Sequence, residues 1–291
     1  MAYPIALPIF FILMAIEIYI GYKDNRQSHE LTDSAVSVTT GLVFVGMGFF
    51  TKTFKILIFF FVYENFRLFT IDYTIWWTWV ILFLLEDFTF YWGHRMGHMV
   101  SFYWASHVVH HSSERYNFAT AMRKTWTYDI TGHFLLWCWL PLIGFHPLHM
   151  VAIMTVSFIY QFWLHTEKVG FMPNWFEYFF NTPSHHRVHH SSNVEYLDKN
   201  LGGVLIIFDR WFGTFQKEEE TCIYGLTKNI KTRNLLIVEF HEWKDLLAKA
   251  FSTRSLITGF KYLIKPPGWS PDGSSMTTAQ LRKELAKKRN E

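Results

Sequence analysis

Charge is scarce in this chain. Only 18% of its 291 residues are charged, against roughly 25% in an average soluble domain. The balance is +3, too small to point to a nucleic-acid partner. Cysteine is scarcer still. Cys138 and Cys222 are the only two, which excludes a disulfide framework, and both read as reduced thiols. No positive charge precedes the first apolar stretch and no small-x-small site follows it, so a cleavable signal peptide is not expected; residues 4–20 read as a retained anchor. No H-E-x-x-H occurs, so a zinc-protease reading lacks its base. No C-x-x-C-H occurs to attach haem. Internal repeats and low-complexity tracts are absent as well.

Apolar surface is abundant. Half the residues are hydrophobic and 20% aromatic, with 30 Phe and 13 Trp. The length suits one or two soluble domains or one polytopic membrane domain. A membrane-spanning helix needs about 17–25 mostly apolar residues. Five apolar blocks are expected to be helical: 4–20 (carrying Glu17), 35–62 (carrying Lys52 and Lys55), 71–85 continuing to His94, 132–145 and 148–164. The last two are joined by Gly144-Phe-His-Pro147 and fit a hairpin entering the bilayer from one side. The expected fold is an all-α, polytopic membrane helix bundle. Residues 1–226 form its membrane-embedded catalytic domain, and 227–291 a polar tail with amphipathic helices. Residues 234–251 are the clearest of these, and Thr277 or Thr278 caps a last basic helix.

Histidine is the exception to the apolar character. Nine of the 15 histidines lie in two stretches, His94-Arg-Met-Gly-His98 with His107-Val-Val-His110-His111, and His185-His186-Arg-Val-His189-His190. His165 ends an apolar run between them. Neutral imidazole is the commonest protein metal ligand, and one ion takes three or four. Ten imidazoles therefore supply two ions. On a helix, positions four apart share a face, so His94 and His98 hold one ion together. In the two H-x-x-H-H segments the spacing of three pairs two rings, and the adjacent third points about 100° away. His185 reads as a ligand or as a residue behind one. All clusters fall at one end of the apolar blocks. The basic residues Lys23, Arg26, Arg95, Arg123, Lys124, Lys168 and Arg187 fall there too, with Arg67 at the other end. That bias makes the histidine face cytosolic.

A metal-bound imidazole usually donates its other N–H to an acid or carbonyl. Asp87, Glu114, Asp198 and Asn200 stand near the clusters and are candidates for that role; each reads equally well as an ordinary capping or loop residue. His29, His133, His146, His149 and His241 read as satisfied polar residues. Spacing admits iron with O2, two zinc ions with hydrolysis, or a non-catalytic metal-binding scaffold.

The order H-x-x-x-H, H-x-x-H-H, H-H-x-x-H-H between apolar blocks resembles the fatty acid hydroxylase and sterol desaturase superfamily of membrane di-iron enzymes. Glu86-Asp-Phe-Thr-Phe-Tyr-Trp-Gly-His-Arg95, Trp104-Ala-Ser-His-Val-Val-His-His-Ser-Ser-Glu-Arg-Tyr-Asn117, Tyr160-Gln-Phe-Trp-Leu-His-Thr-Glu167, Phe180-Asn-Thr-Pro-Ser-His-His-Arg-Val-His-His190 and Leu197-Asp-Lys-Asn-Leu-Gly-Gly-Val-Leu-Ile-Ile-Phe-Asp-Arg-Trp-Phe-Gly-Thr-Phe215 resemble the branch that cleaves alkylglycerol ether lipids. The likeness covers residues 8–226. It implies two iron ions, O2 as co-substrate and a lipid drawn from the bilayer and hydroxylated at a C–H bond. In that branch the attacked carbon adjoins the ether oxygen, and the product collapses to an aldehyde. Electrons come from tetrahydrobiopterin there, and from cytochrome or ferredoxin partners in other relatives. Fatty-acyl or sterol hydroxylation or desaturation is the alternative the same resemblance allows. It also implies a multi-pass membrane protein, in the endoplasmic reticulum of a eukaryote or the inner membrane of a bacterium. Trp92, Trp104, Trp126 and Phe212 are expected to line the lipid's path or simply to pack.

Overall fold

A computed structural model describes residues 3–23 and 29–290. Arg26, counted above with the basic residues of the histidine face, lies outside the described residues. The helices are α1 (Tyr3–Lys23), α2 (Leu31–Phe66), α3 (Trp76–Met99), α4 (Ser101–His111), α5 (Phe118–Met122), α6 (Trp139–Ile143), α7 (Pro147–Trp163), α8 (Asn174–Phe179), α9 (Pro183–His189), α10 (Ile207–Phe212), α11 (Leu235–Ser252), α12 (Leu256–Ile264) and α13 (Thr278–Asn290). Among the described residues there is no strand, only the isolated bridges Phe180–Leu205 and Ser191–Tyr224. The all-helical expectation therefore holds.

The block 35–62 is one continuous helix within α2. It contains glycines but no proline, so its hydrogen-bond ladder is never forced to break. At 36 residues α2 is about 54 Å long, more than the roughly 30 Å apolar core of a bilayer. Among the described residues it is the one helix long and apolar enough to cross a membrane by itself. Only 11% of its most apolar stretch is buried, unlike the core helix of a soluble protein. Lys55, inside this helix, is paired: its Nζ donates to Asp129 Oδ1 at 2.6 Å. Gly41 lets α5 lie directly against α2, because a Cβ there would collide with the Met122 carbonyl.

Two expected blocks differ from the observed helices. The third begins at Trp76 rather than residue 71. Asp72 Oδ1 accepts from the N–H and hydroxyl of Thr74 at 2.9 and 2.7 Å, closing a turn before the helix. The block 132–145 is broken into a 3-10 turn, His133–Trp137, and the five-residue α6. Gly132 enters it at φ +78°, and Pro141 has no N–H to extend a ladder through α6. The turn at Gly144 reaches the far end of the bundle. Leu68 and Phe69 donate their N–H groups to the carbonyls of Leu142 and Ile143 at 2.8 and 3.1 Å, and a Cβ on Gly144 (φ +128°) would strike the Phe69 backbone.

Apolar contacts tie the bundle together in layers. Phe10 of α1 stacks on Phe162 of α7 with ring centroids 3.7 Å apart, and Phe118 covers the other side of Phe162. Phe59, Leu82, Trp137, Leu140 and Met150 form a second cluster between α2, α3, α6 and α7. The C-terminal segment is not a detached tail. Val238 of α11 is buried against Val108 and Val109 of α4, and Ser101 at the start of α4 donates its N–H to the Lys265 carbonyl at 3.0 Å. Thr277 and Gln280 make a reciprocal cap at the start of α13.

Polar notches set how the helices meet beside the histidines. Glu17 of α1, 1% exposed, accepts the Phe118 N–H at 2.8 Å and bonds His29 at 2.9 Å and the Thr166 hydroxyl. Arg123, also 1% exposed, donates to Asp33 Oδ1 at 2.9 Å and to Ser112 Oγ at 3.0 Å. Its side chain thus fastens α2 to the end of α4 instead of facing lipid headgroups, which corrects its place among the surface basic residues. Removing one partner of a buried ion pair costs about 3–5 kcal/mol. Arg123→Met is expected to lower stability by that order, read as an earlier thermal transition in detergent or as faster proteolysis. Glu64→Gln, which removes an exposed partner of Arg67, is expected to change neither.

Candidate metal centre

The histidine-bearing segments converge at one end of the bundle. His94 and His98 lie one turn apart on the last turns of α3, and His107, His110 and His111 on the last turns of α4. His165 follows α7, and His186, His189 and His190 lie on or just after α9. Pro183 opens α9 at a position that needs no N–H. Arg187, on the opposite face of α9, clamps that helix in place. It donates to both carboxylate oxygens of Glu218 at 2.8 and 2.6 Å and to the Val169 carbonyl at 2.7 Å.

Nine imidazoles form two groups. His94, His98, His107, His111 and His189 make the first, and His110, His165, His186 and His190 the second. Within each group the potential ligand atoms all lie within 4.8 Å of one another. The groups adjoin: His110 and His111 are neighbours in sequence but belong to different groups, as do His189 and His190. The H-x-x-H-H spacing causes this, since adjacent helical residues point about 100° apart.

Each group is held by backbone carbonyls. His94 Nδ1 donates to the Leu201 carbonyl at 2.8 Å, and His189 Nδ1 to the Lys199 carbonyl at 2.9 Å. His98 Nδ1 meets Asp198 Oδ1 at 3.2 Å. One short loop, 198–201, therefore anchors three rings of the first group. Its carbonyls are turned alternately by left-handed residues, Asp198 and Asn200, both at φ +53°. Asn and Asp enter that region more readily than other side chains. In the second group His110 Nδ1 donates to the Arg123 carbonyl at 3.1 Å and His165 Nδ1 to the Gln161 carbonyl at 2.9 Å.

A carbonyl can only accept, so these bonds fix the tautomer. Nδ1 carries the proton, and Nε2 presents a bare lone pair. His110 and His165 then point two lone pairs at each other across 3.3 Å. That contact is repulsive unless a cation lies between the rings. At a metal–nitrogen distance of roughly 2.1 Å, neighbouring ligands of one ion stand about this far apart. Nε2 of His98, His189 and His190 and Nδ1 of His186 are buried and have no hydrogen-bond partner. Burial first, and repulsion between neighbouring rings second, hold His107, His111, His186, His189 and His190 well below the usual histidine pKa. Neutral imidazole is the form that binds metal. The donor set fits two soft-to-borderline cations of the kind imidazole favours.

The remaining sequence candidates fall elsewhere. His185 belongs to neither group. It lies beside His186 on α9, so its ring turns away to Thr182 Oγ1 at 3.3 Å and to the Phe215 ring. Asp87 touches no imidazole. Its carboxylate accepts the N–H groups of Val204 and Leu205, both at 2.8 Å, docking on α3 the loop whose carbonyls hold the rings. Asn200 likewise ties that loop, donating to the His185 and Gln216 carbonyls at 3.0 and 2.7 Å. Glu114 is exposed and approaches Gly225, not a histidine. Of the four, Asp198 alone contacts a ring. Sequence reasoning missed the carbonyls of Lys199, Leu201, Arg123 and Gln161, which no side-chain pattern marks. It also missed Tyr116, whose ring stacks on His165 and whose hydroxyl donates to the Leu164 carbonyl at 2.9 Å. Trp104 packs on His98 and His111, and Trp92 and Phe212 pack on each other.

Residues 79–214, the span holding all nine grouped histidines, match the model of the fatty acid hydroxylase family. Among curated proteins the chain's relatives include alkylglycerol monooxygenases. It is 37% identical to that of Homo sapiens over 269 residues, 91% of this chain and 59% of the relative. It is 35% identical to that of Danio rerio with the same coverage, and 34% identical to that of Caenorhabditis elegans over 89% of this chain and 53% of the relative. The chain thus spans between half and two thirds of the length of these relatives. No solved structure matches it significantly.

Loss of the acceptor behind a metal-bound histidine typically costs 10–100-fold in metal affinity. Asp198→Ala is expected to weaken iron binding by about that factor, read by titration against a chelator of known affinity. Glu114→Ala is expected to leave iron binding where it is, and a loss there equal to that of Asp198→Ala would overturn the placement of these two acids.

Proposed function

We propose that this chain is a multi-pass membrane monooxygenase that hydroxylates a lipid C–H bond, and that its substrate is an alkylglycerol ether lipid. The observation that carries the reading is the pair of converging groups of neutral, buried imidazoles, each group preset by carbonyls to aim lone pairs inward. The alkylglycerol monooxygenase relatives direct that chemistry to the ether bond. His94, His98, His107, His111 and His189 would hold one iron, and His110, His165, His186 and His190 the other. His185 and Asp87, Asn200 and Asp198 act behind them. When bound, the two ions supply the activation of O2.

The chain's own residues do the rest. The loop 198–201 and the carbonyls of Arg123 and Gln161 keep five of the nine rings in their ligating tautomer, so no proton has to leave these imidazoles as metal binds. Tyr116, Trp104 and the turns around the cage keep bulk water from the reacting carbon. Overall, one oxygen atom enters the C–H bond beside the ether oxygen. The other leaves as water with two electrons and two protons, both from a reduced pterin, or with electrons from a protein donor and protons from water. The resulting hemiacetal separates into a fatty aldehyde and a glycerol. Tetrahydrobiopterin is the donor this branch favours, with a cytochrome or ferredoxin as the alternative.

Exposed apolar surface supports the membrane placement. Beyond α2, large hydrophobic side chains are exposed on α1 (Ile9, Ile12, Ile16), α3 (Trp76, Val80, Leu84) and α7 (Val156, Ile159). These helices reach the bilayer together with α2, and the histidine end faces the cytosol. Residues 1–226 constitute the catalytic domain, with 227–291 packed onto its cytosolic end. The membrane is the endoplasmic reticulum in a eukaryote or the inner membrane in a bacterium.

Aldehyde release from an alkylglycerol by iron-loaded membranes tests the reading, with O2 and tetrahydrobiopterin present or omitted. O2-dependent aldehyde is expected, with at least about a hundredfold loss in His165→Ala and His189→Ala, one from each group. Full activity in either variant would contradict the ligand sets. Absence of aldehyde together with hydroxylated acyl or sterol product would redirect the substrate to those lipids.

A further inference from the structure

The inner faces of α11 and α12 are closely fitted. Val238 of α11 is buried against Val108 and Val109 of α4, and Leu246 is buried as well. Gly259 lets α12 lie directly on α11, because a Cβ there would collide with the Ala250 carbonyl. Ser101, at the start of α4, donates its N–H and its hydroxyl to the Lys265 carbonyl at 3.0 and 2.8 Å, which fastens the end of α12. The pair of helices is therefore fixed to the helix that carries His107, His110 and His111.

Their outer faces are apolar and uncovered among the described residues. Leu236, Phe240 and Phe251 are exposed on α11, and Leu256, Ile257 and Phe260 on α12; Phe251 is 82% exposed and Leu256 92%. Large apolar side chains grouped on one face mark a surface made to meet something other than water. Basic residues border this face. Leu256, Phe260 and Ile264 are spaced by four and share one stripe of α12, while Ile257, Lys261 and Lys265, also spaced by four, form its edge. Lys244, Lys249, Arg254, Lys261 and Lys265 are all exposed along the two helices, against one exposed acid, Asp245. A lysine beside an apolar stripe lays its stem along it and carries its charge outward. An apolar centre with a basic border matches a bilayer surface, where acyl chains receive the stripe and anionic headgroups the ammonium groups.

The face also continues the surface read above as lipid-facing. Phe240 packs on Trp126 with ring centroids 6.1 Å apart, and the Trp126 indole N–H donates to the Thr40 carbonyl of α2 at 3.2 Å. From that level α2 exposes Leu42, Phe49 and Phe50. Tryptophan favours the boundary between hydrocarbon and water, and Trp126 joins the two apolar surfaces there.

We propose that α11 and α12 form an interfacial anchor whose outer face lies in the headgroup layer of a bilayer and prefers anionic phospholipid. The anchor goes beyond the reaction proposed above and needs neither metal nor substrate; it rests on the membrane reading for its setting only. It holds α4, one wall of the histidine cage, against the membrane surface.

Quenching by spin-labelled phosphatidylcholine tests this on the full-length protein in nanodiscs. One cysteine is added at a time and labelled with an environment-sensitive fluorophore; the unaltered protein, with its half-buried Cys138 and Cys222, gives the labelling blank. Quenching at Ile257→Cys is expected to exceed that at Lys283→Cys, an exposed position on α13, at least about twofold. It is expected to increase when phosphatidylglycerol replaces part of the phosphatidylcholine. Lys261→Glu with Lys265→Glu is expected to abolish that increase, and Lys261→Arg with Lys265→Arg to keep it. Quenching at Ile257→Cys no greater than at Lys283→Cys overturns the anchor. A dimer that Phe260→Glu dissolves overturns it too, by giving the face to a second copy. Equal quenching with and without phosphatidylglycerol overturns the anionic preference. If Ile257→Cys is quenched while Phe50→Cys on α2 is not, the spanning reading fails and the anchor stands.

Discussion

Everything at the metal end of this protein depends on one requirement: an imidazole offers one nitrogen to a cation only if its other N–H is satisfied. Five rings meet it through Nδ1, four by backbone carbonyls and one by Asp198. A carbonyl is a suitable partner in a buried cage, because it accepts a proton firmly without bringing a full charge. The demand then passes outward. Carbonyls of the 198–201 loop must face inward, which requires left-handed residues at Asp198 and Asn200. The loop must be docked, which Asp87 does through Val204 and Leu205. Gly203 must remain glycine, since a Cβ there would sit 2.7 Å from the Asp87 carboxylate.

The same requirement explains why buried acids and arginines surround the cage without entering it. Glu17, Asp33 and Glu218 each bind a helix end or a basic side chain that fixes a histidine-bearing segment. A carboxylate placed directly among the rings would draw protons onto them and compete with the cation. At one remove it supplies rigidity at little electrostatic expense. Preorganisation of this kind places the rings before the metal arrives, so ligand atoms converge to within 4.8 Å across segments nearly 100 residues apart. The hydrophobic bundle contributes an apolar enclosure around the rings.

Much of this was legible from residues alone because it follows from local periodicity. The i, i+4 spacing of His94 and His98 and the two H-x-x-H-H segments specify ring directions on a helix, and the structure shows those directions. Long apolar runs marked α1, α2 and α7, and the Gly144–Pro147 turn was readable from its breakers. The block 132–145 misled because composition counts apolar residues and ignores Gly132 and Pro141. Glu114 and Asn200 misled because proximity in sequence is not proximity in space.

The residues by themselves determined that this is a helical, apolar chain with enough imidazole for two ions, since helix periodicity and ligand chemistry are properties of short segments. Tertiary structure decided which histidines converge in each group, why His185 stands outside, and that carbonyls hold four of the nine rings and an acid one. It also decided that Arg123 is paired with Asp33 inside the bundle instead of facing lipid headgroups. Those outcomes depend on the packing of α1, α2, α5, α7 and the 198–205 loop, where the partners are distant in sequence and often have no side chain to reveal them.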